Sequence, residues 1–284
     1  MEANDGTTLV LGETGKTGSR VVGRLGEIGI PVRIGSRYGR LPFEWEDMAT
    51  WGPVLEGLGS VYVTYQPDLA APSAAERVGL FADLVVRSGA RRLVLLSGRG
   101  EPEAGRGEEA VRESGAEWTI LRSRFFAQNF SESFFLGPVL GGELALPAGE
   151  VAEPFVDAED VADVAVGALT EARHAGEIYE LTGPRLLTFG EAVGEISRAT
   201  GRGVRYLPVS TEEFADQLEH EGVPPEVVRL LTYLFAEVLD GRNAHLTDGV
   251  RRALGREPGD FGDYALRAAA AGVWSRHETA CLPG

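Results

Sequence analysis

The stretch Gly12-Glu13-Thr14-Gly15-Lys16-Thr17-Gly18 constrains this chain more than any other. A short apolar run, Thr8-Leu9-Val10-Leu11, precedes it, and apolar residues recur behind it at Val21, Val22, Leu25 and Ile28. That pattern predicts a strand, a glycine turn and a helix. Such a turn aims backbone N–H groups and a helix N-terminus at a space where a pyrophosphate can sit. The glycines permit the tight turn and the close backbone approach. Their spacing is Gly-x-x-Gly-x-x-Gly, a departure from the common Gly-x-Gly-x-x-Gly fingerprint. Gly15-Lys16-Thr17 also matches the end of a triphosphate-binding loop, but that loop needs a glycine five residues before Gly15, and Val10 stands there.

Pro31-Val32-Arg33-Ile34-Gly35 reads as the next strand. At the end of this strand a dinucleotide fold meets the adenosine ribose. An acidic residue there holds the 2′-hydroxyl of NAD, whereas an arginine suits the 2′-phosphate of NADP. The chain offers Ser36-Arg37. Arg37 can pair bidentately with a phosphate, and Ser36 can add a hydroxyl donor. NADP(H) is therefore expected over NAD(H). Arg33 and Arg40 make this neighbourhood basic in a chain of formal net charge −16.

Strand and helix patterns alternate from residue 7 to about 135. Ser60–Tyr65 reads as a fourth strand, 70–88 as a helix, Arg92–Ser97 as a strand buried on both faces, 108–114 as a helix and Glu117–Arg122 as a strand. This alternation predicts an α/β fold with a Rossmann-type doubly wound parallel sheet. Ligands then belong at the strand carboxyl ends, near Gly12, Arg37, Tyr65, Ser97 and the stretch after Arg122. Beyond 135 the texture changes to short strands (142–146, 177–181, 204–209) and helices (157–169, 189–200, 211–221, 225–239). Thr188 and Glu191 form a capping signature. Val228, Leu231, Phe235 and Val238 share one helical face and read as core. The expected organisation is a dinucleotide-binding body over 1–135 and a smaller C-terminal α+β substrate lobe over 136–284, packed on it as one unit.

Composition excludes several classes. With 43% hydrophobic and 25% charged residues the chain suits an ordinary globular fold. The acidic balance and the lack of a basic stripe argue against nucleic acid. No apolar run approaches the roughly 20 residues of a membrane span. Residues 1–5 lack a basic start, so no signal peptide is expected and cytoplasmic residence is the default. Cys281 is the only cysteine, which excludes an intrachain disulfide, and His174, His220, His245 and His277 are scattered without metal-ligand spacing. No metal site is expected, and each histidine reads as surface or packing. Lys16 is the only lysine. Arginine cannot act as a general base near neutral pH, so any mechanism needing a lysine beside a tyrosine must use Lys16.

Taken in order, several further motifs carry a resemblance. The glycine loop, Ser36-Arg37, the runs 94–100, 114–122 and 125–130, Phe155-Val156-Asp157 with Asp160-Val161-Ala162, and the run 179–184 together resemble the NmrA-like branch of the atypical short-chain dehydrogenase/reductases. The match extends over nearly the whole chain. The resemblance implies that Gly12, Thr14, Gly15, Lys16, Thr17 and Gly18 wrap the pyrophosphate and that Arg37 takes the 2′-phosphate. It implies that Thr64, Tyr65 and Gln66 line the dinucleotide and that Phe126 to Asn129 flank the nicotinamide and the substrate cavity. Two departures stand out. Glu13 replaces the usual small residue and places a carboxylate beside a pyrophosphate. The Tyr-x-x-x-Lys pair of ordinary short-chain dehydrogenases is absent, so Ser97, which matches their serine, has no partner.

Three functions stay open at this level. One is an NADP(H)-dependent oxidoreductase passing hydride from NADPH to a small quinone-like, enone-like or secondary-metabolite acceptor. Tyr65, Phe125, Phe126 and Phe155 would suit a flat acceptor, although Phe125 and Phe155 read equally well as core. A second is an NADP(H)-binding redox sensor without turnover. A third is an isomerase or dehydratase on the same fold. Tyr65, Ser97 and Asn129 are the candidate catalytic groups. The only partner expected is a small-molecule substrate, with a monomer or homodimer as the working form.

Overall fold

The computed structural model describes residues 6–66, 68–71, 73–123 and 125–275, with the backbone alone at 237 and 238. The expectations for Val238, His277 and Cys281 lie outside the described side chains. The strands, in chain order, are β1 (Thr7–Leu11), β2 (Val32–Gly35), β3 (Leu58–Val63), β4 (Arg92–Gly98), β5 (Glu117–Ser123), β6 (Glu143–Leu146), β7 (Ala152–Glu153), β8 (Glu177–Glu180), β9 (Leu187–Thr188) and β10 (Arg205–Pro208). The helices are α1 (Lys16–Glu27), α2 (Trp51–Leu55), α3 (Ala74–Arg87), α4 (Pro102–Glu113), α5 (Asn129–Glu132), α6 (Leu136–Gly141), α7 (Ala158–Thr170), α8 (Phe189–Thr200), α9 (Thr211–His220), α10 (Pro225–Tyr233), α11 (Gly249–Leu254) and α12 (Phe261–Ala270).

Packing divides the chain into two compact units. One gathers Met1–Arg124, Val156–Thr182 and Thr247–Pro258, and the other gathers Phe125–Phe155, Gly183–Leu246 and Gly259–Gly284. Each unit assembles three segments of the chain.

In the first unit six strands form one parallel sheet in the order β2-β1-β3-β4-β5-β8. Leu9, Val61, Leu93 and Ile120 are buried in it, as near-continuous apolar strands of a doubly covered sheet require. Helix α1 packs on α7, and α3 on α4. This is the Rossmann-type sheet that the alternation predicts. The expected fourth strand is the third, β3, because a 3₁₀ turn at Met48–Thr50 and the short α2 occupy the span before it. Helix α4 starts at Pro102 rather than 108. Gly105 and Gly107 weaken its helical signal, while Pro102 suits a first turn that needs no N–H donor.

The second unit is built around a cluster of phenylalanines. Phe130, Phe135, Phe155, Phe189, Phe235 and Phe261 are all buried in one core. Phe155 and Phe189 meet edge to face at 5.1 Å, a favoured ring geometry. Of the four aromatics expected to suit a flat acceptor, Phe155 is thus a core side chain. Strands β6 and β10 pair in parallel, and β7 and β9 pair antiparallel. The capping box at Thr188 and Glu191 forms as expected at the start of α8. Helix α10 passes into a π-helical turn, Leu234–Val238, which continues its apolar face. Helix α12 closes this unit, with the Asp260 side chain accepting from the Gly262 amide at its start.

Candidate functional site

The glycine turn between β1 and α1 is packed to the backbone. Gly12 has φ +73°, a conformation that suits glycine. A Cβ on it would fall 2.2 Å from Thr64 Oγ1, and one on Gly18 would fall 2.1 Å from the Gly12 carbonyl oxygen. The Gly15 amide donates to the Gly12 carbonyl at 2.9 Å, and the Thr64 hydroxyl donates to the Leu11 carbonyl at 3.2 Å. Helix α1 begins directly behind, with Gly15 as its N-cap. No side chain caps it, and its first turn holds no acidic residue. The first amides of a helix have no intrahelical acceptor, and the helix dipole adds positive potential there.

A groove of about 1240 Å³ opens beside this turn, within the first unit. Gly12, Glu13 and Thr14 form one wall. Ser36, Arg37, Tyr38 and Arg40, which follow β2, form another, and Phe43, Glu44, Trp45, Glu46, Thr64 and Gln66 are among the rest of the lining. Ser36 shapes its own turn: its carbonyl accepts from the Gly39 and Phe43 amides at 3.2 and 3.1 Å, and its hydroxyl accepts from the Tyr38 amide at 3.3 Å. Arg37 is exposed, with its guanidinium 5.9 Å from the Tyr38 ring centre. Among the described residues no carboxylate pairs with Arg37 or Arg40, and none of the basic side chains pairs with Glu13. Arg33 is spent differently, donating to the Val54 and Glu56 carbonyls at 2.8 and 2.7 Å.

The expected site residues do not all meet at this groove. Gly12, Thr14, Ser36, Arg37, Thr64 and Gln66 line it. Gly15, Lys16, Thr17 and Gly18 continue from the turn into α1, with Thr17 and Gly18 buried. Tyr65, expected to line the dinucleotide, is turned into the core. Its ring lies 4.8 Å from Trp45, and its hydroxyl accepts from Arg77 at 3.2 Å. Just past the end of β3, Thr64 and Gln66 line the groove while Tyr65 between them is buried away from it. Phe126 and Asn129 belong to the second unit, where both are half-buried and Asn129 opens α5.

Ser97 is buried near the carboxyl end of β4, and a partner that sequence reasoning missed holds it. Its hydroxyl donates to Glu108 Oε1 of α4 at 2.6 Å. Arg122 of β5 grips the same carboxylate, with Nη2 2.6 Å from Oε2 and Nε 2.9 Å from Oε1. Arg122 Nη1 also reaches Glu180 of β8 at 3.2 Å, and Arg99 approaches Glu180 at 3.4 Å. Strand register explains the group, because Ser97 pairs with Arg122 and Arg122 with Glu180 across the sheet. The hydrogen bond to Glu108, ahead of opposing desolvation, raises the Arg122 pKa further. No sequence spacing could reveal these contacts, since 58 residues separate Arg122 from Glu180.

Among the described residues no cluster of histidine, cysteine or acidic side chains suits a metal, and no helix is long and apolar enough to cross a membrane. The site instead fits a dinucleotide. A backbone cradle with no room for a Cβ, a helix N-terminus without a side-chain cap and two arginines unpaired among the described residues are donors that suit a pyrophosphate and a ribose phosphate. The fold and site thus define a dinucleotide-binding α/β protein.

No protein-family model matches the sequence. The uncharacterized oxidoreductase YesF of Bacillus subtilis (strain 168) is 33% identical, over 94% of this chain and 96% of its own. An NAD(P)H azoreductase of Xenophilus azovorans is 30% identical, over 93% of this chain and 98% of its own. The structure of the NADPH-dependent quinone oxidoreductase QOR2 of Escherichia coli, complexed with NADPH, superposes with a TM-score of 0.76 at 18% identity, over 92% of this chain and 99% of that one, a likeness of fold. The chain belongs to the NmrA-like branch of the atypical short-chain dehydrogenase/reductases.

Proposed function

We propose that this protein is an NADP(H)-dependent reductase that passes hydride from NADPH to a small, flat acceptor, quinone-like, enone-like or drawn from secondary metabolism. One observation carries the reading: the groove joins a backbone cradle closed to any Cβ with two arginines, Arg37 and Arg40, that pair with no carboxylate among the described residues. The first amides of α1 would hold the pyrophosphate. Arg37 would pair with the 2′-phosphate, with Ser36 as a second donor, and Thr64 and Gln66 would line the dinucleotide. When bound, the nicotinamide supplies the hydride. The chain's own part is to bind, orient and exclude water. Its single lysine, Lys16, stands at the start of α1, and arginine does not titrate near neutral pH, so water would supply the proton. The azoreductase relative, named for NAD(P)H and an azo acceptor, supports this class of chemistry. Cytoplasmic residence and a monomeric or homodimeric form belong to the same reading.

Calorimetric titration with NADPH and NADH tests the cofactor, and NADPH oxidation with a panel of quinones, against a blank lacking protein, tests turnover. Arg37→Ala is expected to weaken NADPH binding about tenfold or more while leaving NADH unchanged, as loss of a charge-assisted contact implies. Unchanged NADPH affinity, with NADH bound equally well, would refute the NADP assignment. A second reading, a sensor without turnover, is favoured by the committed hydroxyls of Tyr65 and Ser97. Tight NADPH binding with no oxidation across the panel would select it.

A further inference from the structure

Ser97 Oγ and Glu108 Oε1 stand 2.6 Å apart, and both residues are buried. Arg122 approaches both oxygens of the same carboxylate. A guanidinium can only donate hydrogen bonds. Glu108 is therefore the acceptor toward Arg122, and the hydrogen between Glu108 and Ser97 is the serine's. A hydroxyl has one hydrogen and two lone pairs. With that hydrogen given to Glu108, the serine oxygen has only lone pairs left to offer.

We propose that Glu108 and Arg122 are positioning residues that turn Ser97 into a fixed hydrogen-bond acceptor at the carboxyl edge of the sheet. In that state Ser97 selects ligand groups bearing an N–H or O–H, such as a carboxamide or a phenolic hydroxyl. It gives no proton and no hydrogen bond to a reacting oxygen. The inference rests on the proposed function, in which this edge receives the dinucleotide and its acceptor. It assigns Ser97 the reverse polarity to a serine that donates to a substrate carbonyl. Register supports it independently, because Ser97, Arg122 and Glu180 are successive cross-sheet neighbours, so the arginine is held from its far side by a second carboxylate.

The test is a double-mutant cycle on the full chain with Ser97→Ala, Glu108→Gln and the pair. It is read as kcat/KM for NADPH oxidation with a soluble benzoquinone, as NADPH Kd by fluorescence titration, and as Tm. Each single change is expected to lower kcat/KM about tenfold, the size of one hydrogen bond, and the double change no further than either alone. A merely structural Glu108 gives losses of kcat/KM that follow Tm, and such a result, or losses that add, overturns the proposal. Should Glu108→Gln not fold, Glu108→Asp keeps the charge for Arg122 while withdrawing from Ser97. Activity as low as that of Ser97→Ala then supports the proposal, and wild-type activity overturns it. If the wild type binds NADPH without turnover, the same coupling is read in Kd alone, with the same two outcomes. A wild type that binds no nicotinamide dinucleotide refutes the proposed function and this inference together, whereas additive losses in an active enzyme refute only this one.

Discussion

The two ends of the sheet's carboxyl edge treat charge in opposite ways. Beside β1 and β2, Arg37 and Arg40 line an open groove and pair with no carboxylate of the described residues. Beside β4, β5 and β8, Arg99 and Arg122 are tied to Glu108 and Glu180. The chain has 43 acidic residues, so carboxylates are not scarce. An arginine left unpaired in such a chain stays solvated until an anion from outside arrives. One sunk among strands must be neutralised from within, because an uncompensated buried charge is costly. The contrast separates a surface built to receive a phosphorylated ligand from a network that holds a side chain in one orientation.

The sharpest way to break this comparison is Arg122→Ala. It leaves Glu108 buried without its guanidinium and should lower stability by roughly 3 kcal/mol, read from the urea midpoint. NADPH affinity should change far less if the two ends act separately. Gly12→Ala probes the open end, where backbone rather than charge sets the geometry. A methyl group 2.2 Å from Thr64 Oγ1 at φ +73° has no place to go. We expect about 2 kcal/mol of lost stability with loss of NADPH binding in calorimetry. Glu13→Gln sharpens the electrostatic half of the contrast. Glu13 lines the groove with no cationic partner among the described residues, so its removal should tighten NADPH binding about threefold, an effect that added salt should reduce.

The smallest expected effect concerns the far side of α1. Arg20 and Arg24 reach Glu159 of α7 at 2.6 Å each. Burial works against the Glu159 charge, but hydrogen bonds from Arg24 and Arg20 outweigh it, so its pKa lies below the ordinary 4.5. A depressed carboxylate pKa contributes stability above its unfolded value, and that contribution is lost as pH falls through the folded one. Tm should therefore decline below about pH 4.5, and Glu159→Gln should flatten the decline slightly. The effect is small because the pair is partly exposed and screened. A Glu159→Gln profile identical to wild type would remove Glu159 from the account.

Sequence alone determined the class of fold and the open end of the site. The evenly spaced glycines, the apolar strands and Ser36-Arg37 are local signals, carried by neighbours in the chain, and local signals survive without coordinates. Helix ends marked by side chains were legible as well, as at Thr188 and Glu191. Gly105 and Gly107 hid the start of α4, because propensity is blind to tertiary support. Only the tertiary structure decided that Tyr65 faces inward toward Trp45 and Arg77, since Tyr65 lies past the end of β3, where no periodicity fixes the side a residue takes. Only it brought Ser97, Glu108, Arg122 and Glu180 together. Those contacts depend on how parallel strands line up across the sheet, and pairing between distant strands leaves no mark in the spacing of residues along the chain.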